Sequence, residues 1–273
     1  MAEFKYKNKK VYYETFGKGK PIIILNGIMM STKSWYPFKD AFSNNNQLIL
    51  VDFLDQGQSE KMPGEKYNHS IQVELVDALL DELKLKKASI VGISYGGEVG
   101  LEYACLHQDR VDRLVLFNTC AYTNPWLNDI GKAWNIAAES GNGKAYYYTA
   151  IPVIYSPHFY EQRLDWMRNR EKVLFPLFSD HKFTDAMIRL TNSSEDYDVR
   201  PLLKDLKTPT LIIGCEQDYL TPMSNQEYLV EHLPNAFYVK VPGVGHGSMY
   251  EKPILFVTFS LGFVNALTTE YLV

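Results

Sequence analysis

Ser94 stands in Gly92-Ile93-Ser94-Tyr95-Gly96-Gly97, directly behind the apolar run 88–91 and at the start of a helical pattern. A serine between glycines at a strand-to-helix turn is the pattern of a nucleophile elbow. The sharp turn holds the hydroxyl above the sheet, and the helix N-terminus favours negative charge developing nearby. A serine hydroxyl is a weak nucleophile until a neighbouring base takes its proton. The sequence offers six histidines: His69, His107, His158, His181, His232 and His246. His246 lies in Gly243-Val244-Gly245-His246-Gly247, behind the last strand-like run, and is the base by position. His107 and His232 close helical patterns, where a contact with the helix dipole accounts for them. His158 and His181 fall in the aromatic-rich middle of the chain and are read as surface residues or substrate contacts. The base needs an orienting acid. Asp218 follows a strand-like run that ends at Gly214, which gives the order Ser94, Asp218, His246. Glu216 competes for the role but sits closer to the strand end, so it is expected to point elsewhere.

These three positions need elements to hold them. Strand-like runs occur at 10–16, 21–25, 47–51, 88–92, 112–117, 210–214 and 235–241, several of them continuously apolar and β-branched. That is the pattern of strands buried on both faces of a parallel sheet. Helical patterns lie at 34–42, 70–83, 95–107, 225–232 and 254–267. Strands alternating with helices predict βαβ units and a mainly parallel sheet covered on both sides. Residues 122–198 break the rhythm with short helical stretches punctuated by Pro125, Pro152, Pro157 and Pro176. They hold three of the four tryptophans, and sheet patterning resumes after them. An aromatic-rich helical insertion on the loop side of a sheet is a candidate cap over a pocket.

With these motifs in order, the chain resembles an α/β-hydrolase with a helical cap over nearly its whole length. The likeness rests on the elbow, the Asp218 that follows a strand, and the terminal Gly245-His246 followed by Glu251 and Pro253. It also rests on Asp52-Phe53-Leu54-Asp55-Gln56-Gly57-Gln58-Ser59, which is similar to the family's Asp-x-x-Gly-x-Gly-x-Ser loop. The resemblance implies a mainly parallel eight-stranded sheet, a core of residues 1–121 and 199–273, and a cap of residues 122–198. It implies a Ser94-Asp218-His246 triad acting by acyl transfer, with the backbone N–H groups of Ile28 and Tyr95 as oxyanion hole. Two positions depart from the family. Asn26-Gly27-Ile28 stands where His-Gly is common, which bears on the hydrogen bonds that support the oxyanion loop. Asp55 replaces a glycine and is read as a solvated loop residue, with reshaping of the entrance rim as the alternative.

Ser94 disfavours the relatives that displace halide or open epoxides, because those use a carboxylate at the elbow. Carboxylic ester cleavage is the first reading. Thioesterase, lactonase, acyltransferase, carbon–carbon hydrolase and cofactor-free peroxidase activity share the same triad, and a ligand sensor with slow or no turnover belongs to a different class. Substrate contacts are expected in the cap, among Trp126, Trp134, Tyr146, Tyr147, Tyr148, Tyr155 and Phe159, and these aromatics point to an apolar acyl or aryl group. No cofactor is required by this chemistry, and no phosphate loop or metal-ligand spacing is present.

Composition narrows the partners. The 273-residue chain is 46% apolar and 22% charged, which suits a large buried core. Its net charge of −4 gives no warrant for nucleic acid or an anionic membrane surface as partner. No secretory signal and no membrane-inserting run of 18 apolar residues is visible. Cys105, Cys120 and Cys215 are an odd, widely spaced set, read as reduced buried thiols. The expectation is a cytoplasmic enzyme acting on a small molecule, with its oligomeric state open.

Overall fold

Ile22, Ile23, Ile24 and Leu25 are all fully buried, as a β-branched run predicts for a strand covered on both faces. Their side chains alternate: Ile23 and Leu25 enter one apolar cluster, Ile22 and Ile24 the other. Val91 and Ile93 join the second cluster and Ile90 the first, so one sheet separates two cores. Burying each such side chain contributes about 1.5–3 kcal/mol. A few of them therefore match the net stability of a whole domain, about 5–15 kcal/mol.

The structure, a computed structural model, describes residues 2–269. Residue 1 and residues 270–273 of the expected core lie outside them. The strands are β1 (Ala2–Tyr6), β2 (Lys9–Phe16), β3 (Lys20–Leu25), β4 (Asn46–Val51), β5 (Ala88–Ile93), β6 (Val111–Phe117), β7 (Thr210–Cys215) and β8 (Ala236–Val241). They form one eight-stranded sheet in the order β1-β2-β4-β3-β5-β6-β7-β8. β2 pairs antiparallel with β1 and β4, and the other neighbours are parallel. β1 has no counterpart among the seven strand-like runs. Only Phe4 and Tyr6 of its five residues turn inward, and it is joined to β2 through Lys7 and Asn8, both at positive φ as in a tight hairpin.

Helices α1 (Lys39–Ser43), α2 (Ser70–Glu82), α3 (Tyr95–Leu106), α9 (Met223–His232), α10 (Ser248–Glu251) and α11 (Pro253–Val264) belong to the sheet. Phe42 of α1 and Phe256 of α11 pack into one cluster, and residues of α2, α3 and α9 into the other. Between β6 and β7 the chain forms α4 (Pro125–Glu139), α5 (Gly143–Ala150), α6 (Pro157–Gln162), α7 (Leu164–Phe178) and α8 (His181–Ser193). The outgoing and returning segments meet in an antiparallel bridge between Tyr122 and Asp198. Asn124, Asn142, Ser156 and Asp180 cap four of these helices through side-chain acceptors. No helix of the described residues is long and apolar enough to cross a membrane.

Because β3, β5, β6, β7 and β8 run parallel, the segments that follow them gather along one edge of the sheet. Ser94, Asn118, Asp218 and His246 all lie on these segments, as the ligand-binding edge of open α/β sheets requires.

Candidate active site

Ser94 has φ 53° and ψ −124°, a region that a non-glycine residue occupies only at a cost of about 1–3 kcal/mol. The strain falls on the serine itself. Its neighbours Gly92 and Gly96 do not have positive φ and serve close approach instead. A Cβ on Gly92 would collide with the backbone of Gly96 and Gly97, and one on Gly96 with the carbonyls of Leu25 and Asn26. The turn is held by Ser94 N–H donating to the Phe117 carbonyl at 3.0 Å, and by Thr119 Oγ1 donating to the Ser94 carbonyl at 3.0 Å.

His246 Nδ1 lies 2.9 Å from Asp218 Oδ2 and 3.0 Å from Oδ1. Asp218 also accepts from the Leu220 and Thr221 N–H groups, Thr221 Oγ1 and Asn118 Nδ2, at 2.8–2.9 Å. Burial alone would raise this carboxyl. The neighbouring His246 and the converging donors outweigh that and hold it below the usual carboxylate range. Glu216 is exposed and turned away, accepting from Gly243 N–H at 2.7 Å. Asn118 was not foreseen. It sits at φ 50° just past β6, and its Oδ1 accepts from Ser248 Oγ at 2.6 Å, so it links the Asp218 loop to the segment after His246. Its position past a strand end was the only signal it offered.

Ser94 and His246 line two neighbouring pockets, a first and a second lobe. Among the described residues no direct hydrogen bond joins Ser94 Oγ to the imidazole, and such contacts commonly tighten only around substrate. The first lobe is walled by one face of α4, with Leu127, Ile130 and Trp134, together with Glu98 and Leu220. The second takes Met30, Ile154, Tyr155, Arg170, Leu174 and Tyr250. Trp134, Ile28 and Leu220 border both.

The Ile28 loop is tied down through Asn26, which is fully buried. Asn26 Nδ2 donates to the Val51 carbonyl at 2.8 Å and to Gln56 Oε1 at 3.0 Å, and Trp35 Nε1 donates to Asn26 Oδ1 at 2.6 Å. Gln56 Nε2 in turn donates to the carbonyls of Gly27 and Ile28, at 2.9 and 3.1 Å. Replacing the more common histidine therefore leaves the loop supported, by an amide relay running from Trp35 to Gln56. The Met30 N–H also donates to the Gly27 carbonyl at 3.1 Å, so the turn is closed from both sides. Gln56→Ala should lower kcat about tenfold to a hundredfold, at or below the roughly 10²–10³ that removing an oxyanion donor outright costs, with KM changing far less. Steady-state kinetics on an aryl ester checks this.

Asp55 is a correction. It is 1% exposed, not solvated. Its carboxylate receives Arg189 Nη2 at 2.7 Å and Nε at 2.9 Å, Tyr67 Oη at 2.7 Å and the Met62 N–H at 2.9 Å. Its φ of 71° is the backbone conformation that glycine would supply, and aspartate is among the few other residues that tolerate it. The site therefore keeps the turn and adds a buried bond from the core to α8.

Of the seven aromatic positions expected to meet substrate, Trp134 and Tyr155 line the cavity. Trp126 is 57% exposed and donates to the Tyr219 carbonyl at 2.7 Å. Tyr146 and Tyr147 are buried against Phe178, inside the inserted helices. Tyr148 is exposed and donates to Glu171, and Phe159 stacks on Tyr155 away from the lobes. Three consecutive helical residues cannot face one wall, which is why 146–148 divide between core and solvent. Glu98 was missed as a lining residue. Burial pushes its carboxyl up, while nearby His69, 3.8 Å away, pulls the other way. Cys120 Sγ and Ser194 Oγ donate to it. Cys120 and Cys215 are buried free thiols and Cys105 is half-buried.

A family model described as α/β-hydrolase fold matches residues 20–152. The crystal structure of MGS-M2, an α/β-hydrolase enzyme from a Medee basin deep-sea metagenome library, is 49% identical, covers 100% of both chains and superimposes with a TM-score of 0.98. More distant relatives include two proteins named "Putative carbamate hydrolase RutD". The one from Pseudomonas savastanoi pv. phaseolicola is 26% identical over 91% of this chain and 95% of its own. The one from a Caulobacter species is 26% identical over 93% and 96%.

Proposed function

The chain belongs to the α/β-hydrolase family, and on that premise we propose that it cleaves a carboxylic ester of small or medium size through an acyl-enzyme on Ser94. One observation carries this reading. A serine held in the strained elbow conformation and a histidine hydrogen-bonded to a buried, ionised aspartate border the same cavity. Ser94 Oγ attacks the ester carbonyl carbon and passes its proton to His246 Nε2, while Asp218 fixes the tautomer and stabilises the imidazolium. The Ile28 and Tyr95 N–H groups receive the oxyanion. Collapse expels the alcohol, protonated by His246. Water, deprotonated by the same imidazole, then releases the acid. Helices α4–α8 act as the cap, with Trp134 and Tyr155 meeting the substrate.

The carbamate hydrolase names of relatives similar over nine-tenths of the chain support a second reading. The attack is the same and His246 protonates a departing nitrogen instead of an oxygen. A panel of p-nitrophenyl acetate, butyrate and octanoate, a matched thioester and an N-alkyl carbamate separates the two. The ester reading expects the esters to be fastest, and the octanoate-to-acetate ratio to change in Trp134→Ala. Carbamate turnover with inert esters favours the second reading. An unchanged chain-length ratio in Trp134→Ala removes the cap from substrate choice. Ligand-dependent melting shifts without turnover indicate a sensor.

A further inference from the structure

Arg170 on α7 lines the second lobe, and it is the sole arginine, lysine or carboxylate among the described residues that do so. The protein's other arginines near carboxylates are paired: Arg110 with Asp77, Arg168 with Glu171, Arg189 with Asp55 and Arg200 with Asp198. Arg170 has no such partner among the described residues, and its Nε is buried without any hydrogen-bond acceptor. The carboxylates next to Arg170 and Tyr250 in sequence are committed elsewhere. Glu171 takes Arg168 and Tyr148, and Glu251 takes the N–H and Oγ of Ser156 and the Gly245 N–H.

The guanidinium carbon lies 4.7 Å from the Trp166 ring centroid and 5.5 Å from that of Tyr250. Stacking of this kind engages the face of the guanidinium and leaves its in-plane donors unused. Buried donors without acceptors are costly, and a planar fork of them matches a carboxylate in two-point geometry. The rest of the lining holds neutral hydroxyls and the His246 imidazole among apolar side chains but no carboxylate, so no anionic group in the wall neutralises the charge.

We propose that Arg170 binds a carboxylate on the substrate, so that the ester taken by this site is anionic: the hemiester of a dicarboxylic acid, or a lactone bearing a free carboxylate. The inference rests on the ester-cleaving reading for its substrate class, but the anion site itself is a binding property and can be tested without turnover. The first lobe, where Leu127, Ile130 and Trp134 stand beside Glu98 and Glu195, then holds the uncharged part of the substrate, and the carboxylate selects which end enters the second.

The probes are the phenyl hemiesters of succinate, glutarate and adipate, each paired with its neutral ω-carboxamide of the same shape. Two quantities are read on each variant: the acid-to-amide ratio of kcat/KM by phenol release, and the same ratio of Kd by calorimetry on Ser94→Ala. At one chain length or more the acid is preferred about tenfold or more, as charge-assisted hydrogen bonds usually give. In Arg170→Gln the ratio falls to within about twofold of one, Arg170→Lys retains part of it, and Arg168→Gln, which removes the same charge from the surface, retains it all. Because each ratio is taken within one variant, a loss of folded protein cancels. No acid preference at any length, or a preference that survives Arg170→Gln, overturns the proposal. A Kd preference without turnover keeps the anion site and discards the hydrolase reading. Turnover without acid preference does the reverse.

Discussion

His246→Ala lowers kcat on an activated aryl ester about 10⁴-fold or more, and adding Ser94→Ala costs little beyond that. The non-additivity is the informative part. If the serine is the nucleophile and the histidine its base, neither works without the other, so removing the second removes nothing that remains. Independent contributions would multiply. On the proposed mechanism, what survives both substitutions is the binding of substrate and the polarisation of its carbonyl by the proposed oxyanion donors, the Ile28 and Tyr95 N–H groups. Asp218→Asn belongs in the same series. An asparagine amide can keep the Leu220 and Thr221 N–H bonds through its oxygen, but its NH2 then faces Asn118 Nδ2 and Thr221 Oγ1, so the imidazole loses its charged partner and the loop loses some of its support. Single-turnover and steady-state rates for the two single variants and the double variant check the cycle.

Arg189→Gln destabilises the fold by about 3–5 kcal/mol, because it strands the Asp55 carboxylate in a site from which water is excluded. Asp55 side-chain exposure is 0% and that of Arg189 is 15%. For a chain of this size the loss corresponds to a fall in Tm of roughly 6–20 °C. Asp55→Gly separates the causes. Glycine suits φ 71° better than aspartate, so a purely conformational role predicts gain, whereas the ion pair predicts loss because Arg189 and Tyr67 are left without their acceptor. Combining Asp55→Gly with Arg189→Met should cost clearly less than the sum of the singles. Urea unfolding of the four proteins measures the coupling, and additive losses would show that the two side chains do not act as a pair. The bond joins the loop after β4 to α8, so Arg189→Gln also tests how firmly the inserted helices are held to the sheet.

The parts of this architecture legible in the sequence are those written in short-range pattern. β3, β5 and β7 carry largely apolar runs, Ser94 and Asp218 follow two of them, and His246 follows the mixed strand β8 within a Gly-x-Gly-His-Gly stretch. β1 escaped because two inward aromatics among five residues make too short an alternation. Long-range pairings escaped for a different reason. The partner of Asp55 lies 134 residues away, and nothing local distinguishes an aspartate that meets water from one that meets Arg189. The amide relay through Asn26 and Gln56 is likewise invisible until β3 and β4 lie side by side. In the inserted helices the periodicity of α4 marks an apolar face but not what it faces. Trp134 therefore reaches the cavity while Tyr146 and Tyr147 fill the space between helices.

The most direct test is the intact mass of the native protein after treatment with a fluorophosphonate, beside Ser94→Ala treated in the same way. A single stoichiometric adduct on the native protein that is missing from Ser94→Ala is the predicted result, because only a serine activated by its base reacts at an appreciable rate. No adduct on the native protein, or an adduct that persists in Ser94→Ala, contradicts the account.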